Sequence, residues 1–493
     1  MNNKILEKMK GFKNILIKYL ICAILFVSVS CADLDVNPSD RISADVAITN
    51  IEDMGLAVNG AYDNLTSGNY YHGKYLLLGD FMGDDLMNPP ISQSGLLLYN
   101  YIWSEKNVDN SFYSYLYRCI GNINDILKRS EFLKSDPIYQ TYCAELKALR
   151  ALHHFDLVKL YGPLYANLGK GQIKSDALGI TIRKEPVMDM YAKFKRNTVK
   201  EVYEFVVDEL ESCLGKLPIS KKTRLNENAA RLLLARIYLY MGDVKFKNIT
   251  DNYEKALSYV NQIKGYSIIS KKEYVASWGK DFNSESIFEL PTTVKDNPRQ
   301  YSVGNMVSFS FKGKKDACAT KDFMSLYCSD VRFNIFSNYK LAETVYNFPN
   351  KKFPGKQNES VNNIAVLRYS EAVLIKAECE LKLKRPADAA ITLNKLRSNR
   401  TEVKPNKYSA DITIDDILYE RRLELFCEGH RAWDLWRNQK FVKRYSSIEE
   451  KRKEGHNDFS DGEIEFDHYQ TIYPISEQEM QFAIDKNQQN PNY

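Results

Sequence analysis

Glu420, Glu424, Glu428, His430, Arg431 and Asp434 crowd one short stretch near the end of the chain. Carboxylates beside an imidazole are the pairing that general acid–base work uses. The spacing favours a structural role instead. Arg431 and Asp434 stand three apart, within ion-pair reach on a helix, and Glu420 and Glu424 stand four apart with Arg421 and Arg422 between them. Arginine forks of this kind tie helices to a scaffold, and Gly429 would separate two such helices. No catalytic residue is expected here, and the chain is not expected to be an enzyme. His153-His154 are neighbours on one helix and point to different faces, so they read as core residues rather than metal ligands. The chain carries no His-Glu-x-x-His, no Gly-x-Ser-x-Gly and no phosphate loop. No metal and no cofactor is expected.

The cysteines carry a second kind of chemistry. Cys31 follows a basic stretch (Lys4, Lys8, Lys10, Lys13) and an apolar run from Ile15 to Val27. The run is too short to span a bilayer of about 30 Å as a helix. Residues 1–30 read as a secretory signal, and the Cys after Ser30 as a lipoprotein acylation site, for which two acyl chains give stable anchoring. Ser28 stands where such signals usually carry Leu or Val, so an ordinary signal with a chance Cys is the alternative. Of the other cysteines, Cys22 leaves with the signal, and Cys119, Cys143, Cys213, Cys318, Cys328, Cys379 and Cys427 remain. None sits at zinc spacing, and most fall in helical patterns where a Cys packs as a small hydrophobe. Cys318 and Cys328 are the only pair near enough in sequence for a local bridge.

The leader also decides the charge. The chain is formally +5, and the leader holds five Lys and one Glu, so the remainder is near +1. The basic balance that would suggest nucleic acid disappears with it. Lys314-Lys315 and Lys351-Lys352 read as solvated loop charges.

The elements that position these residues are mostly helical. Tyr113, Leu116, Ile120, Ile123 and Leu127 recur at helical spacing over 111–129. Residues 139–161 are apolar nearly all round, as in a helix buried between neighbours, and stop at Gly162-Pro163. Asn197-Thr198 caps a helix over 199–214. Helices follow over 227–242 and 252–264, and the turn at Gly242-Asp243 makes a tetratricopeptide-like hairpin, with a second around 369–390. The periodicity fails between 265 and 365, where 285–290 reads as a strand and 291–316 as loop. Residues 66–110 are similarly irregular. Loops of this length inside a compact domain are often functional. The fold class is therefore mainly α, a scaffold of helical pairs with loop-rich insertions and a few short strands.

Four segments, with the lipoprotein start Cys31-Ala32-Asp33-Leu34, carry a family resemblance. They are Glu145 to Gly162 (E-x-x-x-L-R-A … D-L-V-x-x-Y-G), Leu367 to Glu378 (L-R-Y-x-E-x-x-L-x-x-A-E), Glu420 to Arg437 (E-R-R-x-E-L-x-x-E-G-x-R-x-x-D-L) and Tyr473-Pro474-Ile475-Ser476 through Asn487 to Tyr493. In this order they resemble the SusD/RagB-family outer-membrane lipoproteins of the Bacteroidota. Ser476 replaces a usual Pro and Asn492 a usual Gly. The resemblance implies one SusD-like domain over 31–493, with helical parts at about 31–265 and 366–493 around an insertion at about 266–365.

The resemblance also implies a role: a lipid-anchored outer-membrane protein facing the cell exterior, capturing oligosaccharide for a SusC-like TonB-dependent transporter. A peptide-binding, RagB-like protein is the alternative. Sugars stack flat C–H faces on aromatic rings and hydrogen-bond through their hydroxyls. The aromatic residues of the insertions then become candidate ligand contacts: Tyr70, Tyr71, Tyr99, Trp103, Arg299 and Tyr301, with Phe309 and Phe311 as a possible strand face. Trp103 is equally readable as core, and Trp278 reads as core.

Overall fold

Helices form where local periodicity meets a cap. The computed structural model describes residues 48–92, 101, 103–187, 189, 192–249, 251–310, 313–444 and 463–493. Cys31, Tyr99 and Phe311 lie outside the described residues. The N-terminal helices are α1 (Ile51–Asp63), α2 (Lys74–Phe81), α3 (Ser111–Arg129) and α4 (Tyr139–Tyr161). Next come α5 (Val199–Cys213), α6 (Glu227–Met241) and α7 (Asn252–Asn261). Thr198 and Glu201 form a capping box at the start of α5, satisfying two backbone donors reciprocally. Asn226 caps α6 through Ala229 N–H at 3.0 Å.

α4 packs on α5, and α6 pairs with α7. Beyond the insertion, α9 (Tyr369–Lys382) pairs with α10 (Pro386–Arg397), whose Pro lies in the first turn, and α9 also packs on α7. These are the two expected helical hairpins. Leu374, Ala377, Leu393, Leu396 and Ile417 form one buried apolar cluster between α9, α10 and α11 (Ile414–Glu424). Helix α12 is Arg431–Arg437.

The strands are few. β2 (Ser286–Leu290) pairs antiparallel with β6 (Ile364–Arg368), across the whole insertion. A four-stranded sheet runs in the order β1 (Leu86–Met87), β3 (Cys318–Ala319), β5 (Thr344–Phe348), β4 (Ser337–Leu341). It joins the two irregular regions of the sequence, since Leu86 opposes Ala319. Phe309 packs near Tyr339 and Phe348 of that sheet, with ring centroids at 6.2 and 6.0 Å.

A seam links the end of the chain to its first half. Arg196 donates from Nη1 to Gln488 O (2.7 Å), and from Nη2 to Tyr161 O (2.8 Å) and Asn490 Oδ1 (2.8 Å). Asn490 in turn donates to Tyr161 O and Tyr473 O. Among the described residues no helix is long and apolar enough to cross a membrane.

Candidate functional site

The acidic stretch is a buried arginine lattice. Arg368 donates to Glu285, Glu424 and Glu428, and Arg400 to Glu285 and Glu424. Arg437 holds Glu378 and Asp434, and Arg421 holds Asp434 at 2.8 Å. Burial opposes ionisation here, yet Arg400 and Arg368 hold Glu424 well below the usual carboxylate range, and Arg437 brings Glu378 to about 2. One expected pair is different. Arg431 reaches Asp84 (2.6 and 2.9 Å), not Asp434, because the turn after α2 supplies a carboxylate that a single helix cannot. Glu428 is held by Arg368 and Lys352, and burial, then the neighbouring cations, push His430 well below the ordinary imidazole range.

His153 and His154 are buried, as expected. His153 Nδ1 is 3.2 Å from Tyr70 Oη, and His154 Nδ1 is 2.8 Å from Arg150 O. The seven described cysteines are free. Cys318 and Cys328 are not bridged: the first thiol faces Met87 O from inside the sheet, and the second faces Tyr419.

The aromatic candidates divide by burial. Tyr70 is 0% exposed and Tyr71 5%. Both hydroxyls donate to Asp156 Oδ2, at 2.6 and 2.7 Å, and Tyr75 donates to Oδ1 at 2.6 Å. Burial, then the charge of Asp156, holds all three phenols well above their ordinary range. Trp103, 3% exposed, donates from Nε1 to Tyr493 Oη at 2.8 Å and packs on Tyr101 and Tyr473. These three rings are in the core and offer no face for a sugar, which corrects the expectation. The irregular pattern of 66–110 gives no sign of burial, but Asp156 on α4 supplies an acceptor that draws the phenols inward. Trp278 is half-buried, with Lys352 over its ring.

Tyr301 is different: it is 55% exposed. It closes a short turn, Arg299–Tyr301, that leads into α8 (Val303–Val307). The two insertions meet at this point. Val303 N–H donates to His72 O at 2.9 Å, and a Cβ on Gly68 would stand 2.6 Å from Cβ of Tyr301. Only a residue without a side chain fits there. Lys314 Nζ lies 4.7 Å from the Tyr301 ring centroid. Arg299 is exposed, with φ at +53°. An open groove of about 520 Å³ in the same insertion is lined by Thr292, Thr293, Val294, Lys295, Lys356, Gln357 and Val361. Ligand clefts span about 300–1,000 Å³, so a few sugar rings fit. The enclosed cavity beside Trp278 and Arg368, at about 40 Å³, has room for water only. Lys314 was legible only as a loop charge, and nothing in the sequence places it on Tyr301.

Residues 332–493 match the model of the SusD family, and residues 34–239 match a SusD-like model described as starch-binding associating with outer membrane. The chain belongs to the SusD-like family. A SusD-like protein of Formosa agariphila is 26% identical over 488 residues, covering 88% of this chain and 93% of that protein. The structure of a SusD superfamily protein from Bacteroides thetaiotaomicron, 26% identical, superposes with a TM-score of 0.77 over 90% of this SusD-like chain and 100% of its own. A laminarin-binding SusD-like protein, 20% identical, shares the fold with a TM-score of 0.68 over 90% of this chain and 100% of that one.

Proposed function

We propose that this SusD-like protein captures oligosaccharide at the outer surface of the cell and passes it to a SusC-like TonB-dependent transporter. The observation that carries this reading is the exposed Tyr301 ring at the junction of the two insertions. The family model described as starch-binding supports the ligand class and the outer-membrane setting. Cys31 would carry the lipid that keeps the protein there. Binding without catalysis is supported by the arginine lattice, whose carboxylates are committed to cations.

A capture protein must release its cargo. A Kd of micromolar to millimolar order, about −8 to −4 kcal/mol, suits that task. Losing one stacking ring removes about 1 kcal/mol, roughly fivefold in Kd. Calorimetry of the wild type and Tyr301→Ala against a glycan panel tests the site. A glycan that binds both proteins alike would remove Tyr301 from it, and binding of peptides alone would replace the ligand class. Metabolic labelling with a palmitate analogue should tag the wild type and leave Cys31→Ala unlabelled. Pull-down in mild detergent should recover a TonB-dependent barrel.

A further inference from the structure

We infer that the saccharide held at Tyr301 carries an anionic group, a carboxylate or a sulfate ester, recognised by Arg299 and Lys314. The inference rests on the saccharide-capture reading above and deepens it. Both cations are placed by one buried residue. Asn305 O accepts the Lys314 N–H at 2.9 Å, while Asn305 Nδ2 donates to Arg299 O at 3.4 Å and to Ser360 Oγ at 2.8 Å. Ser360 Oγ donates to the same Arg299 carbonyl at 2.7 Å, and Arg299 N–H is held by Asn297 Oδ1 at 2.8 Å. These bonds keep Arg299 in the left-handed region, at φ +53°. A side chain with a Cβ is strained there, and strain of that kind persists where the surroundings over-determine it.

The strained backbone presents a side chain with no internal task. Among the described residues neither Arg299 nor Lys314 has a carboxylate within ion-pair distance, and the Lys314 ammonium lies over the Tyr301 ring. The acids of the same loops are engaged elsewhere. Glu359 accepts from Ser310 Oγ, and Asp316 from Ser92 Oγ at 2.7 Å. Asp296 is the exposed acid on the Arg299 loop, and its charge is felt at Asp63 and His72. A guanidinium is a planar fork that matches a carboxylate or sulfate with two parallel hydrogen bonds, and an ammonium adds a point charge. A neutral glucan would use neither. A ring that stacks on Tyr301 and bears an anion at its edge uses all three groups.

Calorimetry of the purified protein tests this with three probes: neutral starch oligosaccharides, oligogalacturonates and sulfated galactan oligosaccharides. An acidic probe should bind about tenfold more tightly than the neutral one and weaken in high salt. Arg299→Gln and Lys314→Gln should each lose about tenfold on the acidic probe, with Arg299→Lys recovering part of it. The uronate and sulfate arms distinguish the two anions. Equal binding of the acidic and neutral probes by the wild type and both Gln variants, with loss in Tyr301→Ala, would overturn the charge inference and leave saccharide capture standing. Binding of acidic peptides alone, or of no saccharide at all, would overturn both. An unchanged melting temperature in each variant excludes misfolding as the cause.

Discussion

Asp156 and Tyr301 are opposite extremes of the same residue chemistry. Asp156 accepts hydrogen bonds from three phenols and stands 3.7 Å from Lys159 Nζ, all inside the core. Asp156→Ala would leave three buried hydroxyls and an ammonium without their acceptor. It is expected to cost about 3–5 kcal/mol, read as a large fall in the denaturant midpoint. Asp156→Asn keeps an acceptor oxygen and should lose less. Tyr301→Ala, at an exposed ring, is expected to move stability by less than about 0.5 kcal/mol while weakening ligand. If Tyr301→Ala instead unfolds the protein, the ring is structural and the site is misplaced.

At the scale of elements, the helices from Ser111 to Asn261 were readable because their signals are local. Periodicity and caps such as Thr198 and Asn226 need no knowledge of the rest of the chain. Strand β2 was readable for the same reason. Helix α2 was not, because it is buried on nearly every side and shows no amphipathic stripe. Strand β1 has only two residues, and its partner β3 comes more than two hundred residues later. The candidate site suffered likewise: Tyr301 was legible as an aromatic in a loop, but its neighbour Lys314 and its backing Gly68 come from separate segments. The joint between α11 and α12 supplies a test. Gly429 has φ +73°, donates its N–H to Asp80 at 2.9 Å, and would place a Cβ 2.9 Å from Leu76 O. Gly429→Ala is expected to cost about 1–3 kcal/mol through strain and displaced backbone. Thr198→Ala, which removes a cap, should cost about 1 kcal/mol. Thermal unfolding that ranks Thr198→Ala as the worse of the two would contradict this account of the joint.

For the whole molecule, stability couples to pH through buried histidines. Burial brings His153 and His154 each down to about 3. The unfolded chain takes up those protons near pH 6.5, so between 6.5 and 3 it binds more protons than the fold does, and stability falls with pH across that window. At pH 5 the loss is about 2 kcal/mol for each. Glu378, held near 2 by Arg437 against its burial, adds a further loss below about 4.5. Asp80 and Asp85, pushed up chiefly by burial, act with the opposite sign. Calorimetric melting at pH 7 and pH 5 should therefore show a smaller acid loss in His153→Gln than in the wild type. An identical loss in both would remove His153 from the account. The seam at Arg196 has a consequence in time. Translation delivers Gln488 and Asn490 almost three hundred residues after Arg196, so until then the guanidinium is held by Gly179 O, Leu178 O and Tyr161 O of the earlier half and lacks its two C-terminal acceptors. Contacts this far apart in sequence slow folding. A nascent chain halted before Gln488 lacks the bonds that latch its last segment to Arg196 and Tyr161, and proteases acting during synthesis would find that segment loose.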